Sequence, residues 1–277
     1  MTYKQAYEYG IDALFSHKIV DNTLDARLLL EWICQTKRHH LLAHGEDEIT
    51  IEQWQQYQEV IRRRGEHIPL QYITNEQEFM GLLFKVNEKV LIPRQDTEFL
   101  VEEALLHVHD GMKVLDICTG SGCILLSIMS YTNNCVGVGV DLSLEALEVA
   151  RENAKNLKIQ ATFLESDLLD KVEGKYDVII SNPPYIPSAV IPTLMEEVKH
   201  HEPLVALDGR EDGLYFYKRL VEEVRAHMNR GAYLLFEIGH DQGEQVAQFM
   251  IDAKYKEVEI KKDYAGNERV VKGFYSP

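Results

Sequence analysis

At 277 residues the chain is long enough for two domains, one of them with a substantial core. Its 45% hydrophobic and 27% charged content exclude a disordered protein, and no apolar run approaches the length needed to span a bilayer. The formal net charge of −16 argues against affinity drawn mainly from nucleic-acid phosphates, so neither nucleic-acid nor membrane contact is expected. Only Arg62-Arg63-Arg64 forms a cationic run, read as the solvated end of a helix. Four cysteines, Cys34, Cys118, Cys123 and Cys135, show no paired spacing. With no basic and apolar leader at the N-terminus, they read as reduced core residues of a cytoplasmic protein.

In chain order, residues 1–75 carry helical periodicity: a helix over 3–17, a second over 23–33, and a third from a capping box at Thr50 to about residue 64. His39, His40 and His44 lack a cysteine or carboxylate spaced to complete a metal site. Residues 76–93 read as a hairpin linker, with strands over 79–86 and 90–92 around a polar turn at Asn87-Glu88. Residues 94–277 alternate strands and helices. Strands are expected over 113–117, 135–140, 161–164, 176–181, 233–238, 257–261 and 269–275, with helices over 122–131, 143–157, 213–228 and 242–251. Apolar strands alternating with helices predict an α/β fold, a doubly wound and mostly parallel seven-stranded sheet. The last two strands lack a long crossover and predict an antiparallel edge.

The strand over 113–117 runs into Cys118-Thr119-Gly120-Ser121-Gly122-Cys123, a glycine turn that opens a helix and lets a ligand approach the backbone. About 20 residues on, Asp141 ends the next strand, where a carboxylate can accept from a ribose diol. A dinucleotide site would show a third glycine, and Leu125 stands there instead. S-adenosyl-L-methionine has no phosphate to cradle, and Ser166-Asp167-Leu168 then supplies an acceptor for an adenine amine and an apolar contact for its ring. Singly, each carboxylate also reads as a loop or cap residue. As an ordered set at successive strand ends they read as a nucleoside site.

The strand over 176–181 ends in Asn182-Pro183-Pro184-Tyr185. Each proline fixes its own φ, lacks an N–H and pushes the preceding residue toward extended geometry. The Asn182 and Pro183 carbonyls and the Asn182 side chain thus become a rigid set of acceptors, suited to gripping a planar NH2 by both hydrogens. Pro-Pro also simply stops strands, so the tetrapeptide alone leaves both readings open.

With the glycine turn before this corner, the chain resembles a class I S-adenosyl-L-methionine-dependent methyltransferase acting on a planar amino nitrogen. Ile68-Pro69-Leu70-Gln71-Tyr72-Ile73, Leu91-Ile92-Pro93-Arg94-Gln95-Asp96-Thr97-Glu98, Glu202-Pro203-Leu204-Val205-Ala206-Leu207 and Leu235-Phe236-Glu237-Ile238-Gly239 narrow the resemblance to the HemK/PrmC family. Those enzymes methylate the glutamine side-chain nitrogen in the Gly-Gly-Gln loop of peptide chain release factors. The resemblance implies a helical N-terminal domain that helps dock the release factor, joined to a methyltransferase domain. It also implies that Thr119, Gly120, Ser121, Gly122, Cys123, Asp141, Asp167, Leu168 and Asn182 bind the cofactor, which leaves as S-adenosyl-L-homocysteine.

By the same resemblance, Asn182, Pro183, Pro184 and Tyr185 hold the substrate glutamine. Asn182 and Pro183 are expected to accept its two N–H bonds, with Tyr185 against the amide plane and near the sulfonium; a core aromatic is the other reading of Tyr185. Gln95 stands where the family often has proline, and Leu168 where some members place an aromatic. A nucleic-acid methyltransferase acting on an exocyclic base amine shares the tetrapeptide and is the chief rival. A non-catalytic binding module would not need both the corner and the turn.

Overall fold

Residues 1–276 are described by a computed structural model. The chain divides into two compact units: Met1–Glu76 with Met195–His201, and Gln77–Leu194 with the chain from Glu202 onward.

The first unit contains α1 (Tyr3–Ser16), α2 (Asn22–Ile33), α3 (Arg38–Ala43), α4 (Ile51–Gly65) and α5 (Leu70–Thr74). Capping boxes open α1 at Thr2 with Gln5 and α4 at Thr50 with Gln53, each satisfying two backbone donors that a helix start leaves free. Leu14, Leu29, Leu30, Tyr57 and Ile61 form the centre of its core. The buried Tyr57 hydroxyl donates to the Ala26 carbonyl at 3.0 Å, so the ring's polar end is satisfied. The short helices α3 and α5 were not expected, because five or six residues carry no resolvable apolar period. His39 and His40 ride on α3, where the His40 ring stacks on His44 with centroids 4.3 Å apart.

The arginine run departs from its sequence reading. Arg62 is exposed and paired with Glu59 and Glu66, but Arg64 is buried and pairs with Asp25 at 2.7 Å and with Glu197. Burial raises the Asp25 carboxyl above its ordinary range although Arg64 pulls the other way. Desolvation therefore outweighs the attraction within this pair.

Strands β1 (Glu76–Phe79) and β2 (Leu82–Lys85) form a two-stranded sheet. Its turn is Met80-Gly81, with φ of 50° and 69°, rather than Asn87-Glu88, and 90–92 is not a strand. Positive φ at both central residues matches the twist of a tight hairpin, and Gly81 supplies it without strain.

The second unit continues through α6 (Gln95–Leu105), β3 (Lys113–Ile117), α7 (Cys123–Tyr131), β4 (Val136–Asp141), α8 (Leu144–Leu157), β5 (Thr162–Glu165) and β6 (Tyr176–Ser181). After α9 (Glu196–His201), which counts with the first unit, come α10 (Tyr215–Glu223), β7 (Met228–Glu237), α11 (Gly243–Asp252), β8 (Lys256–Lys262) and β9 (Glu268–Phe274). The helix expected over 213–228 stops at α10, and a 3-10 turn, Val224–His227, leads into β7. The sheet has the order β5-β4-β3-β6-β7-β9-β8. Strands β3 to β7 pair in parallel, while β9 runs antiparallel to both β7 and β8. The mostly parallel seven-stranded sheet with an antiparallel edge is thus present. Val114, Leu115 and Ile117 of β3 and Val178, Ile179 and Ile180 of β6 are fully buried, as expected for central strands covered on both faces.

Chain order reverses at β3: β4 and β5 lie on one side, β6 and β7 on the other. In open α/β sheets ligands bind outside the carboxyl ends of the strands at such a point.

Arg64→Ala would leave the Asp25 carboxylate buried beside an empty site. We expect this to destabilise the first unit by about 3 kcal/mol. Both tryptophans, Trp32 and Trp54, lie in this unit, so the denaturant midpoint of their fluorescence reads the change. A midpoint equal to wild type would contradict the assignment.

Candidate active site

At the carboxyl edge of β3, β4 and β6 lies a cleft of about 970 Å³, its solvent-open mouth included. Thr119, Gly120, Ser121 and Cys123 line it from the glycine turn, Asp141 from the end of β4, and Asp167 and Leu168 from the turn after β5. Asn182 and Pro184 line it from the corner after β6. Gly122, Pro183 and Tyr185 are not among the lining residues.

The glycine turn is held by the strand beside it. Thr119 N–H donates to the Val140 carbonyl at 2.9 Å, Gly122 N–H to the Thr119 carbonyl at 2.8 Å, and Gly120 N–H to Asp141 Oδ2 at 2.8 Å. The other carboxylate oxygen of Asp141 accepts from Ser143 N–H at 2.9 Å. Asp141 therefore braces the turn from the end of β4. Gly122 has φ +79°, and a Cβ there would crowd Ala150 and Leu126 at 3.2 Å, so this glycine serves both the turn and helix packing. Leu125, where a dinucleotide motif has its third glycine, is buried in the core.

Cys118 and Leu168 adopt φ of 62° and 47°. Left-handed backbone at residues with a Cβ costs of order 1–3 kcal/mol each and clusters at ligand sites. Leu168 is 5% exposed, whereas Asp167 is exposed and paired with Arg219 at 3.3 Å. The two cations that line the cleft, Lys89 and Arg94, are paired with Glu145 and Glu202. Carboxylates with neutralised cations suit a cofactor bearing a diol, an amine and a positive centre. A pyrophosphate would want the reverse.

The corner after β6 is clamped from several directions. Ser181 Oγ donates to the Ile117 carbonyl at 2.7 Å, joining the ends of β6 and β3. The side chain of the buried Gln242 donates to the carbonyls of Tyr185 at 3.0 Å and Gly213 at 3.3 Å, and accepts from Gly239 N–H at 2.9 Å. A Cβ on Gly213, whose φ is +72°, would fall 2.3 Å from the Tyr185 carbonyl oxygen. Only glycine permits that approach. Pro183 and Pro184 are buried and Asn182 is half-buried. The Asn182 side-chain nitrogen donates to Thr97 Oγ1 at 3.4 Å.

Tyr185 is half-buried. Its ring packs against the larger core, and its hydroxyl donates to Glu237 Oε1 at 3.5 Å. Thr97, Glu237, Gln242 and Gly213 were not picked out as site residues in the sequence. Thr97 and Glu237 stand inside segments that carry the resemblance, yet no spacing rule connects them to Asn182.

Two buried carboxyls lie behind the cleft. Burial pushes Asp116 up to about 7, against the hydrogen bond that it receives from Thr119 Oγ1 at 2.6 Å. Burial likewise pushes Glu237 to about 7, while hydrogen bonding from Thr97, the charge of Arg269 and the Tyr185 hydroxyl oppose it. Burial also raises Asp141, against its backbone hydrogen bonds.

Comparison with known proteins gives a consistent set of relatives. Residues 5–74 match the family described as PrmC N-terminal domain, and residues 95–199 match Methyltransferase small domain. The release factor glutamine methyltransferase of Moorella thermoacetica is 40% identical over 97% of this chain and 97% of its own. That of Clostridium acetobutylicum is 39% identical over 89% of each chain. Among solved structures, a methyltransferase from Pyrococcus furiosus superposes with a TM-score of 0.54 at 20% identity, covering 71% of this chain and 90% of its own. That likeness concerns the fold, which is the class I methyltransferase fold.

The folded protein holds the protons of Asp116 and Glu237 up to about pH 7, whereas the unfolded chain releases them near 4. In that window the native state binds more protons, so stability falls as pH rises. The contribution is complete below the unfolded values and lost on passing 7. Calorimetric unfolding across the window should show a shallower decline for Asp116→Asn and Glu237→Gln than for wild type. Parallel curves would contradict the assignment.

Proposed function

The chain belongs to the release factor glutamine methyltransferase family, and from that premise we propose that it methylates the side-chain amide nitrogen of the Gly-Gly-Gln glutamine in peptide chain release factors. The methyl donor is S-adenosyl-L-methionine, with S-adenosyl-L-homocysteine as product. The substrate places the protein in translation termination, a cytoplasmic process, and four free cysteines agree with that setting. Among the described residues no helix is long and apolar enough to cross a membrane.

One observation carries the chemical reading: the side-chain nitrogen of Asn182, which lines the cleft, is engaged by Thr97, which leaves Asn182 Oδ1 as an acceptor. A carboxamide nitrogen is a poor nucleophile because its lone pair is delocalised into the carbonyl. The donor, when bound, supplies a methyl carbon already activated by the sulfonium. The protein therefore has to orient the nitrogen and stabilise the positive charge that grows on it. Asn182 Oδ1 and the Pro183 carbonyl each accept one N–H of the glutamine amide. As the nitrogen becomes tetrahedral both bonds strengthen, and its lone pair is aimed along the cleft. On the cofactor side, the 119–123 turn and Asp141 form the nucleoside seat, with Asp167 as acceptor for the adenine amine and Leu168 as an apolar contact for its ring. Tyr185 contributes by holding the corner from the core side.

Asn182→Ala should lose roughly two or more orders of magnitude in kcat at saturating S-adenosyl-L-methionine, the scale for a preorganised polar group. Labelled donor with unmethylated release factor, and separately with nucleic acid, followed by peptide mapping, checks both substrate and residue. Label in nucleic acid alone, or near-normal turnover in the variant, would contradict the reading.

A further inference from the structure

For an adenine ring the sequence offers Leu168 as the apolar contact. In the folded protein Leu168 is packed into the larger core and 5% exposed, so it presents little surface to a flat ring. A larger apolar face lines the same cleft from another element. Phe216, in the first turn of α10, is half-buried, packs against that core and borders the cleft. Its neighbour Tyr215 is exposed and is not among the lining residues. Arg219 shows where this face of α10 lies. It follows Phe216 by three residues, so the two share one side of the helix. Its Nη1 donates to Asp167 Oδ1 at 3.3 Å, which sets that side against the turn after β5.

The start of α10 is fixed in place. Leu214 N–H donates to Asp212 Oδ1 at 3.0 Å, and the Gln242 side chain bonds the Gly213 carbonyl at 3.3 Å. Tyr217 is fully buried and donates its hydroxyl to the Glu237 carbonyl at 2.7 Å. Arg219 is itself held by Glu223 at 2.8 Å. The Phe216 ring is thus carried on a helix anchored on both sides of it.

We propose that Phe216 is the aromatic contact for the adenine ring of the methyl donor. This deepens the proposed function and rests on its cofactor reading of the cleft. Every nucleobase has a π-face, and an aromatic side chain gains by covering it without charge or proton transfer. Position 168 supplies no such ring, and α10 does. Asp167 gives one oxygen to Arg219, which leaves Oδ2 for the adenine amine. Acceptor and ring contact then come from two elements that this pair joins. Gln242 also bonds the Tyr185 carbonyl at 3.0 Å, so the base seat and the Asn182 corner share one support.

The test is calorimetric affinity for S-adenosyl-L-homocysteine and for adenosine, in wild type, Phe216→Ala and Phe216→Trp, with indole fluorescence recorded alongside. Phe216→Ala should weaken both ligands about tenfold, because both carry the base. Phe216→Trp should bind S-adenosyl-L-homocysteine nearly as wild type, and its added indole emission should fall at saturation as the base covers the ring. Wild type, whose two tryptophans both lie in the first unit, gives the background. Wild-type affinity in Phe216→Ala, a loss for S-adenosyl-L-homocysteine without one for adenosine, or indole emission unmoved by ligand would each overturn the assignment. If Phe216→Ala does not fold, Phe216→Trp decides alone. Wild type that binds no S-adenosyl-L-homocysteine would instead sink the cofactor reading beneath the proposed function.

Discussion

The parallel pairing of β3 with β6, which sets Ile117 opposite Ser181, is the constraint on which the site depends. Each strand continues into a turn with its own chemistry, the glycine turn from β3 and the Asn182 corner from β6. Because the strands run the same way and end level, both turns open at the same edge of the sheet. The Ser181 hydroxyl on the Ile117 carbonyl ties the two ends together. A slip of one residue in this register would turn every side chain of β6 to the other face and part the corner from the cleft.

Rigidity of the corner is what a weak nucleophile demands of its enzyme. Orientation is most of what such a protein can contribute, and it has value only if the acceptors are in place beforehand. Two prolines stiffen the chain from within, and Gln242 and the close approach of Gly213 clamp it from without. The corner's backbone is further held where Ile186 N–H donates to the Leu207 carbonyl at 3.0 Å and the Ile186 carbonyl accepts from Gly209 N–H at 2.8 Å. Its backbone is thereby stitched to the 204–209 segment, which contains part of the family resemblance.

Much of this was legible in residue order. Strands β3 and β6 announce themselves as short, densely apolar runs, and the Thr50 cap, the glycine turn and the antiparallel edge follow from local chemistry. The hairpin turn falls at Met80-Gly81 rather than at the more turn-like Asn87-Glu88, because Met80 carries a positive φ that residue type does not advertise. Helix α6 carries no start signal in the sequence, because Arg94 caps it with no side-chain hydrogen bond. Arg64 read as solvated because its partners, Asp25 and Glu197, lie 39 and 133 residues away. The Thr97 bond to Asn182 spans 85 residues and the Tyr185 bond to Glu237 spans 52. Only the folded sheet makes them neighbours. Local pattern therefore reveals the groups that can touch a ligand, and tertiary packing reveals those that aim them.

The most direct trial is a crystal structure of the protein with S-adenosyl-L-homocysteine and a Gly-Gly-Gln peptide. The account requires the glutamine side-chain nitrogen within about 3 Å of both Asn182 Oδ1 and the Pro183 carbonyl oxygen. A nitrogen seated elsewhere in the cleft, or gripped by other acceptors, would contradict it.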